Sequence, residues 1–207
     1  MGALNKVIAV SKLKEFEARK QRHDTAQTYV DEGKLYRAVK LFRENLSWSL
    51  ANFEQDHATT VYDQETLAFA VSELGHLNET KNRAVHDKEA KKKIQALYEE
   101  ARDLDQKALE TRTRVEGTSP PSKDLLETQR NLANDYVSLE DYKKAAELFL
   151  KNFEARRVHP ELGEDDDMTL RTGHDLAGCW HRQGNYQKAK ALNTKILEAR
   201  IRLQKPE

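Results

Sequence analysis

Apolar residues along this chain keep a helical rhythm, broken by short polar gaps. Leu4, Val7, Ile8, Leu13 and Phe16 recur at roughly helical spacing, as one face of a helix requires. No proline interrupts residues 3–32, and Gly33 stands where a helix stops. Ala38, Leu41, Phe42 and Leu46 form one face of a second helix, with Trp48, Leu50 and Phe53 beyond. Later, Gly117 ends a helix, and Pro120-Pro121-Ser122 opens another with Ser122 placed as its N-cap. The acidic run Glu164 to Asp167 precedes a further helix, where the helix dipole favours negative charge. The predicted elements are four helix pairs, over about 3–55, 63–116, 122–158 and 166–204, in one array spanning residues 1–207.

These pairs are copies of one unit. Leu176, Ala177, Trp180, Tyr186, Ala189 and Leu192 have counterparts 44 residues earlier in Leu132, Ala133, Tyr136, Tyr142, Ala145 and Leu148. The first pair aligns with the last at an offset of 151: Ala26 with Ala177, Tyr29 with Trp180, Gly33 with Gly184, Ala38 with Ala189. Three periods of 44 leave 19 residues over. Some 14 of these fall between Asn78 and Lys93, a polar stretch without Pro or Gly. It predicts a second pair whose two helices are each longer by about two turns. Fixed-period similarity on this scale marks a repeat array, in which each pair buries against its neighbour an apolar face that it cannot bury alone.

Composition narrows the picture. Charged residues make up 34% and aromatics 7%, with eight Gly and four Pro, which suits solvated helices better than sheets. Thirty-five acidic and 35 basic residues cancel, so no global field attracts nucleic acid or an anionic membrane, and neither is expected as a partner. The lone Cys179 excludes an internal disulfide framework and suits a reducing, cytoplasmic setting. No apolar run is long enough to span a membrane. The first ten residues read as a helix start rather than a secretory signal.

The large-apolar-then-Ala pattern, with an aromatic three positions later, a turn Gly and an aromatic opening the second helix, resembles tetratricopeptide repeats. The endings Leu109-Glu110-Thr111-Arg112, Phe153-Glu154-Ala155-Arg156 and Leu197-Glu198-Ala199-Arg200, with a period well above 34, resemble the long repeats of kinesin light chains. Similar repeats occur in fungal signalling NTPases with nucleotide-binding domains. The resemblance implies an all-α, right-handed α-solenoid of about four helix pairs, the second elongated, with the first helix of each pair lining a concave face.

It also implies where a ligand would sit. The matching positions are Arg130, Asn131 and Asn134 in the third pair and Arg171, His174, Asp175 and Gly178 in the fourth. Weaker counterparts are His23, Asp24 and Gln27, and Ser72, Glu73 and His76. Asn131-Leu132-Ala133 matches the Asn-Leu-Ala of kinesin light chains, whose Asn tends to hold a peptide backbone. An amide donates and accepts at once, which suits an extended strand, and Arg130 and Arg171 can pair with acidic side chains. Such residues are otherwise an ordinary solvated helix face.

Chemistry beyond binding finds little support in the sequence. His174, Cys179 and His181 do not share one helix face, and no second Cys completes a zinc set, so no metal is expected. No phosphate-binding Gly loop or nucleophile elbow is present, so neither catalysis nor a cofactor is expected. The Lys88, Lys91, Lys92, Lys93 run is interleaved with acidic residues and reads as solvated helix. The expected function is a non-catalytic scaffold for a protein or peptide ligand. The alternative is a self-associating module, or the sensor of a larger signalling NTPase, because no polar capping helix follows the fourth pair and Leu192, Ile196 and Leu203 would leave an apolar face for a homo-oligomer.

Overall fold

A computed structural model describes residues 2–82, 87–117 and 120–204, with side chains from residue 12 onward. Among these residues there are eight helices and no strand. They are α1 (Gly2–Asp31), α2 (Leu35–Asn52), α3 (Ala58–Asn82), α4 (Lys88–Glu116), α5 (Lys123–Ser138), α6 (Tyr142–Val158), α7 (Asp167–Arg182) and α8 (Tyr186–Gln204). The helices α3 and α4 run 25 and 29 residues, against 16 to 19 for α5 to α8, so the polar insertion lengthens both helices of the second pair. Residues 83–86, at the centre of that insertion, lie outside the described residues. The chain divides into two compact units, Met1–Leu97 and Tyr98–Glu207.

In the first unit, α2 packs on both α1 and α3. Ala26, Ala38, Phe42, Ala70 and Val71 are almost wholly buried, the alanines letting the helices approach closely. Polar groups are buried with them. The Arg19 guanidinium pairs with Asp63 across the core, and Asp63 also accepts from the Ser49 hydroxyl. Each carboxylate oxygen thereby has a partner, which a buried charge requires.

In the second unit, α6 packs between α5 and α7, and α8 packs on α7. Ala133, Ala145, Phe149, Leu176 and Cys179 form its centre, with Tyr136, Phe153 and Trp180 packed around them. Ile196, Ala199 and Leu170 make a smaller cluster between α7 and α8. At Gly173 the neighbouring side chains leave no room for a side chain: a Cβ there would lie 2.8 Å from the Phe153 ring and 3.0 Å from Ile196. The repeat-opening aromatics diverge. Tyr142 is half-buried, with Arg182 over its ring and the Gln183 amide donating to its carbonyl at 2.6 Å. Tyr186, its counterpart in the last pair, is 60% exposed, because no later helix covers it among the described residues.

Three of the turns between paired helices, those after α1, α5 and α7, share one geometry. Lys34, Asp141 and Asn185 each donate a backbone N–H to the carbonyl five residues back, at 2.7, 2.8 and 2.8 Å. The residue before each is left-handed: Gly33, Glu140 and Gly184, with φ of 69°, 59° and 79°. This closes the helix end by capping its orphan carbonyls.

Candidate functional site

The candidate residues lie on α5 and α7, whose starts are fixed by side-chain caps. Ser122 accepts from the Leu125 N–H at 3.0 Å, and Asp166 accepts from the Thr169 N–H at 2.9 Å. Capping sets the register in which Arg130, Asn131 and Asn134 share a side of α5, and Arg171, His174 and Asp175 a side of α7. The two sides meet where Arg130 Nη1 lies 3.7 Å from Asp175 Oδ2.

Arg130 is not waiting for a ligand. Its guanidinium also holds Glu127 at 2.8 Å, and the side chain is 15% exposed. Glu127 in turn reaches Arg156 of α6 at 3.1 Å, and Arg156 donates to the Asn152 amide oxygen at 2.8 Å. The chain Asp175, Arg130, Glu127, Arg156, Asn152 is thus one polar network tying three helices together. Burial raises the pKa of the Asp175 carboxyl from its ordinary value, and the charges of Arg130, His174 and Arg171 oppose that rise. Burial lowers the Arg156 guanidinium, and the Glu127 charge opposes it.

Asn131 and Asn134 are different. Both are half-buried, and neither side chain has a hydrogen-bond partner among the described residues. Arg171 is exposed and makes no ion pair there within bridging distance. His174 is exposed, and its Nδ1 lies 3.1 Å from the Asn193 amide oxygen of α8. Gly178 faces open space. Unpaired amides, a cation and bare helix surface are therefore side by side, above a network that fixes their supports. Sequence reasoning does not single out Glu127, Asn152 or Arg156. The one signal for Arg156 is its recurrence with Arg112 and Arg200 at the repeat period. Arg112 also bridges two helices, but forwards, 3.7 Å from Asp124 of α5, whereas Arg156 reaches back from α6 to α5.

Among the described residues, no cluster of three or more His, Cys, Asp or Glu side chains could hold a metal ion. Burial and the Asp175 charge push the Cys179 thiol up to about 11. No described helix is long and apolar enough to cross a membrane.

Paired helices repeating at a 44-residue interval, joined by a common left-handed turn, define a helical repeat protein. Two family models described as tetratricopeptide repeat match residues 94–122 and 124–202. The chain belongs to the tetratricopeptide-repeat proteins, whose repeats generally serve as protein-interaction scaffolds. Its structure resembles BtubC (BKLC) from P. vanneervenii, with a TM-score of 0.72 and 19% identity over 91% of this chain. The match covers 65% of the BtubC chain, so this chain spans somewhat less than two thirds of that relative. It also resembles the TPR-like repeats of a Podosopora anserina protein assigned to the kinesin light chains, with a TM-score of 0.52, 19% identity, and coverage of 90% of this chain and 97% of that one. A point variant of those repeats gives a TM-score of 0.50, at 19% identity. At this identity the likeness is one of fold. No curated protein sequence matches the chain.

Proposed function

We propose that the α5–α7 side of the second unit is a docking face for an extended segment of a partner protein, and that the chain works as a non-catalytic scaffold in a reducing, cytoplasmic setting. The observation that carries this reading is the pair of unpartnered amides, Asn131 and Asn134, next to the exposed cation Arg171. Half-buried amides without partners gain most from a strand that brings both N–H and C=O groups. Arg130 contributes by position, since Glu127 and Asp175 already neutralise it. The test is affinity capture with wild type against Asn131→Ala/Arg171→Glu. Loss of bound partners supports the face, and a full set retained by the folded variant contradicts it. Arg130→Glu is a poor probe, because it would put three carboxylates together and damage the fold.

A second reading is supported by α8. Ile196 and Leu192, expected on that face, are instead packed against α7, and the exposed row is Leu197 and Ile201, one helical turn apart and 59% and 49% exposed, with Leu203 at 54%. A second copy of this chain would cover that row. Light scattering should then show a dimer that Leu197→Glu/Ile201→Glu converts to monomer. A strict monomer at high concentration contradicts this reading.

A further inference from the structure

The fourth pair breaks a contact that the third pair makes. Positions 127 and 156 recur 44 residues later as 171 and 200. In the third pair they hold Glu127 and Arg156, bridged at 3.1 Å between α5 and α6. In the fourth they hold Arg171 of α7 and Arg200 of α8, so a second cation stands where the third pair has its carboxylate. Both arginines are exposed, and both line one cavity of about 430 Å³ between the start of α7 and the end of α8. Neither side chain makes a hydrogen bond or an ion pair among the described residues. Two carboxylates share the lining: Asp165 is taken by Arg202, and Asp167 bridges neither Arg171 nor Arg200. Asp175 feels the charge of Arg171 but is bridged by Arg130. Leu203 and Gln204 close the cavity on the α8 side.

We propose that this cavity is an anion site, and that its ligand is a small phosphate monoester. Like charges brought to one cavity repel unless an anion lies between them. A phosphate monoester carries about two negative charges and three acceptor oxygens, enough for two guanidinium forks, whereas a carboxylate neutralises only one. The volume is in the lower half of the range for small-molecule sites, about 300–1,000 Å³. Asp167 and Gln204 can accept hydrogen bonds from hydroxyls on the rest of the ligand. Asp167 also disfavours a polyanionic surface beside the two arginines. Arg171 belongs to the α5–α7 face as well, but Arg200 does not, and the site stands whether or not that face binds a partner.

The test is NMR titration of the isotope-labelled full chain at low salt, with inorganic phosphate, glycerol phosphate, glycerol, a phosphoserine peptide and phosphatidic-acid vesicles. Saturable shifts of the backbone amides around Arg171 and Arg200 are expected with phosphate and, more tightly, with glycerol phosphate. Glycerol and the vesicles should give none, and the peptide should bind no more tightly than glycerol phosphate. Arg200→Gln should weaken binding by about tenfold and leave partner capture by the α5–α7 face unchanged. Arg171→Glu rebuilds the Glu–Arg bridge of the third pair, so it should abolish phosphate binding with no fall in the thermal midpoint. The proposal is overturned if neither phosphate compound saturates, if glycerol binds as well as its phosphate, if the peptide or the vesicles bind more tightly, or if Arg200→Gln and Arg171→Glu, shown folded by circular dichroism, bind like wild type.

Discussion

The Asn152 side chain donates to the carbonyl of Leu126 at 2.6 Å, twenty-six residues upstream, and Asn45 donates to the carbonyl of Arg19 at 3.2 Å across the same separation of 26. Each amide oxygen accepts from an Arg Nε–H, from Arg156 in one case and Arg22 in the other. Both asparagines are fully buried. The same clasp therefore joins the two helices of a pair in both units. It opens a first-helix carbonyl to a partner outside its own helix and makes the pairing specific in register. Asn152→Ala leaves a carbonyl, Gln129 and Arg156 short of a partner, so a loss of about 2–4 kcal/mol is expected by urea denaturation. A loss below about 1 kcal/mol would mean the clasp is incidental.

Glu140 occupies a left-handed position that Gly33 and Gly184 fill in the equivalent turns. A residue with a Cβ is strained there, whereas glycine is not. Glu140→Gly should stabilise the second unit by about 0.5–1 kcal/mol, despite the usual entropic cost of glycine, and thermal unfolding measures it. A lower midpoint would show that the glutamate side chain contributes more than its backbone loses.

His23 sits against the rings of Phe42 and Tyr62, with Nε2 3.0 Å from the Tyr62 hydroxyl and Nδ1 buried without a partner. Burial lowers its pKa, assisted by the Arg19 charge and opposed by Asp24 and Asp63. The unfolded chain therefore takes up a proton that the folded chain resists. Stability from His23 is complete above the unfolded value of about 6.5 and is lost as pH falls through the lowered folded value. The thermal midpoint should drop between about pH 7.5 and pH 5, and His23→Phe should flatten that drop. Parallel curves for the two proteins would refute the assignment.

Cys179 is 2% exposed, and its thiol is pushed up to about 11. Little thiolate is present near neutrality, and a reagent must wait for the second unit to open. Ellman's reagent should react with the folded chain far more slowly than with the chain in denaturant. Equal rates would place the thiol at the surface.

The helices and the all-α class are legible because Ala, Leu and aromatic positions repeat at a fixed interval, and because Gly33, Gly184 and Ser122 punctuate the chain. The lengthened α3 and α4 follow from an arithmetic remainder in the spacing. The buried polar contacts are not legible. Asn45, Asn152, Arg19 and Asp63 are polar residues on helices that also carry solvated faces, and residue type alone does not say which face is covered. Most of their partners lie 23 to 44 residues away, beyond any local pattern. Repeat position alone would put Tyr186 in an interior, but burial depends on a following helix and not on the residue itself. On α5, Arg130 reads as a ligand cation because pairing with Glu127 and Asp175 is a property of packing.

The central claim is that a partner lies along α5 and α7, and site-specific photocrosslinking tests it most directly. A benzoylphenylalanine in place of Asn134 or Arg171 should capture the same partner segment. One in place of Glu147, exposed on α6, should capture none. Capture from Glu147 alone, or equally from all three positions, would contradict the account.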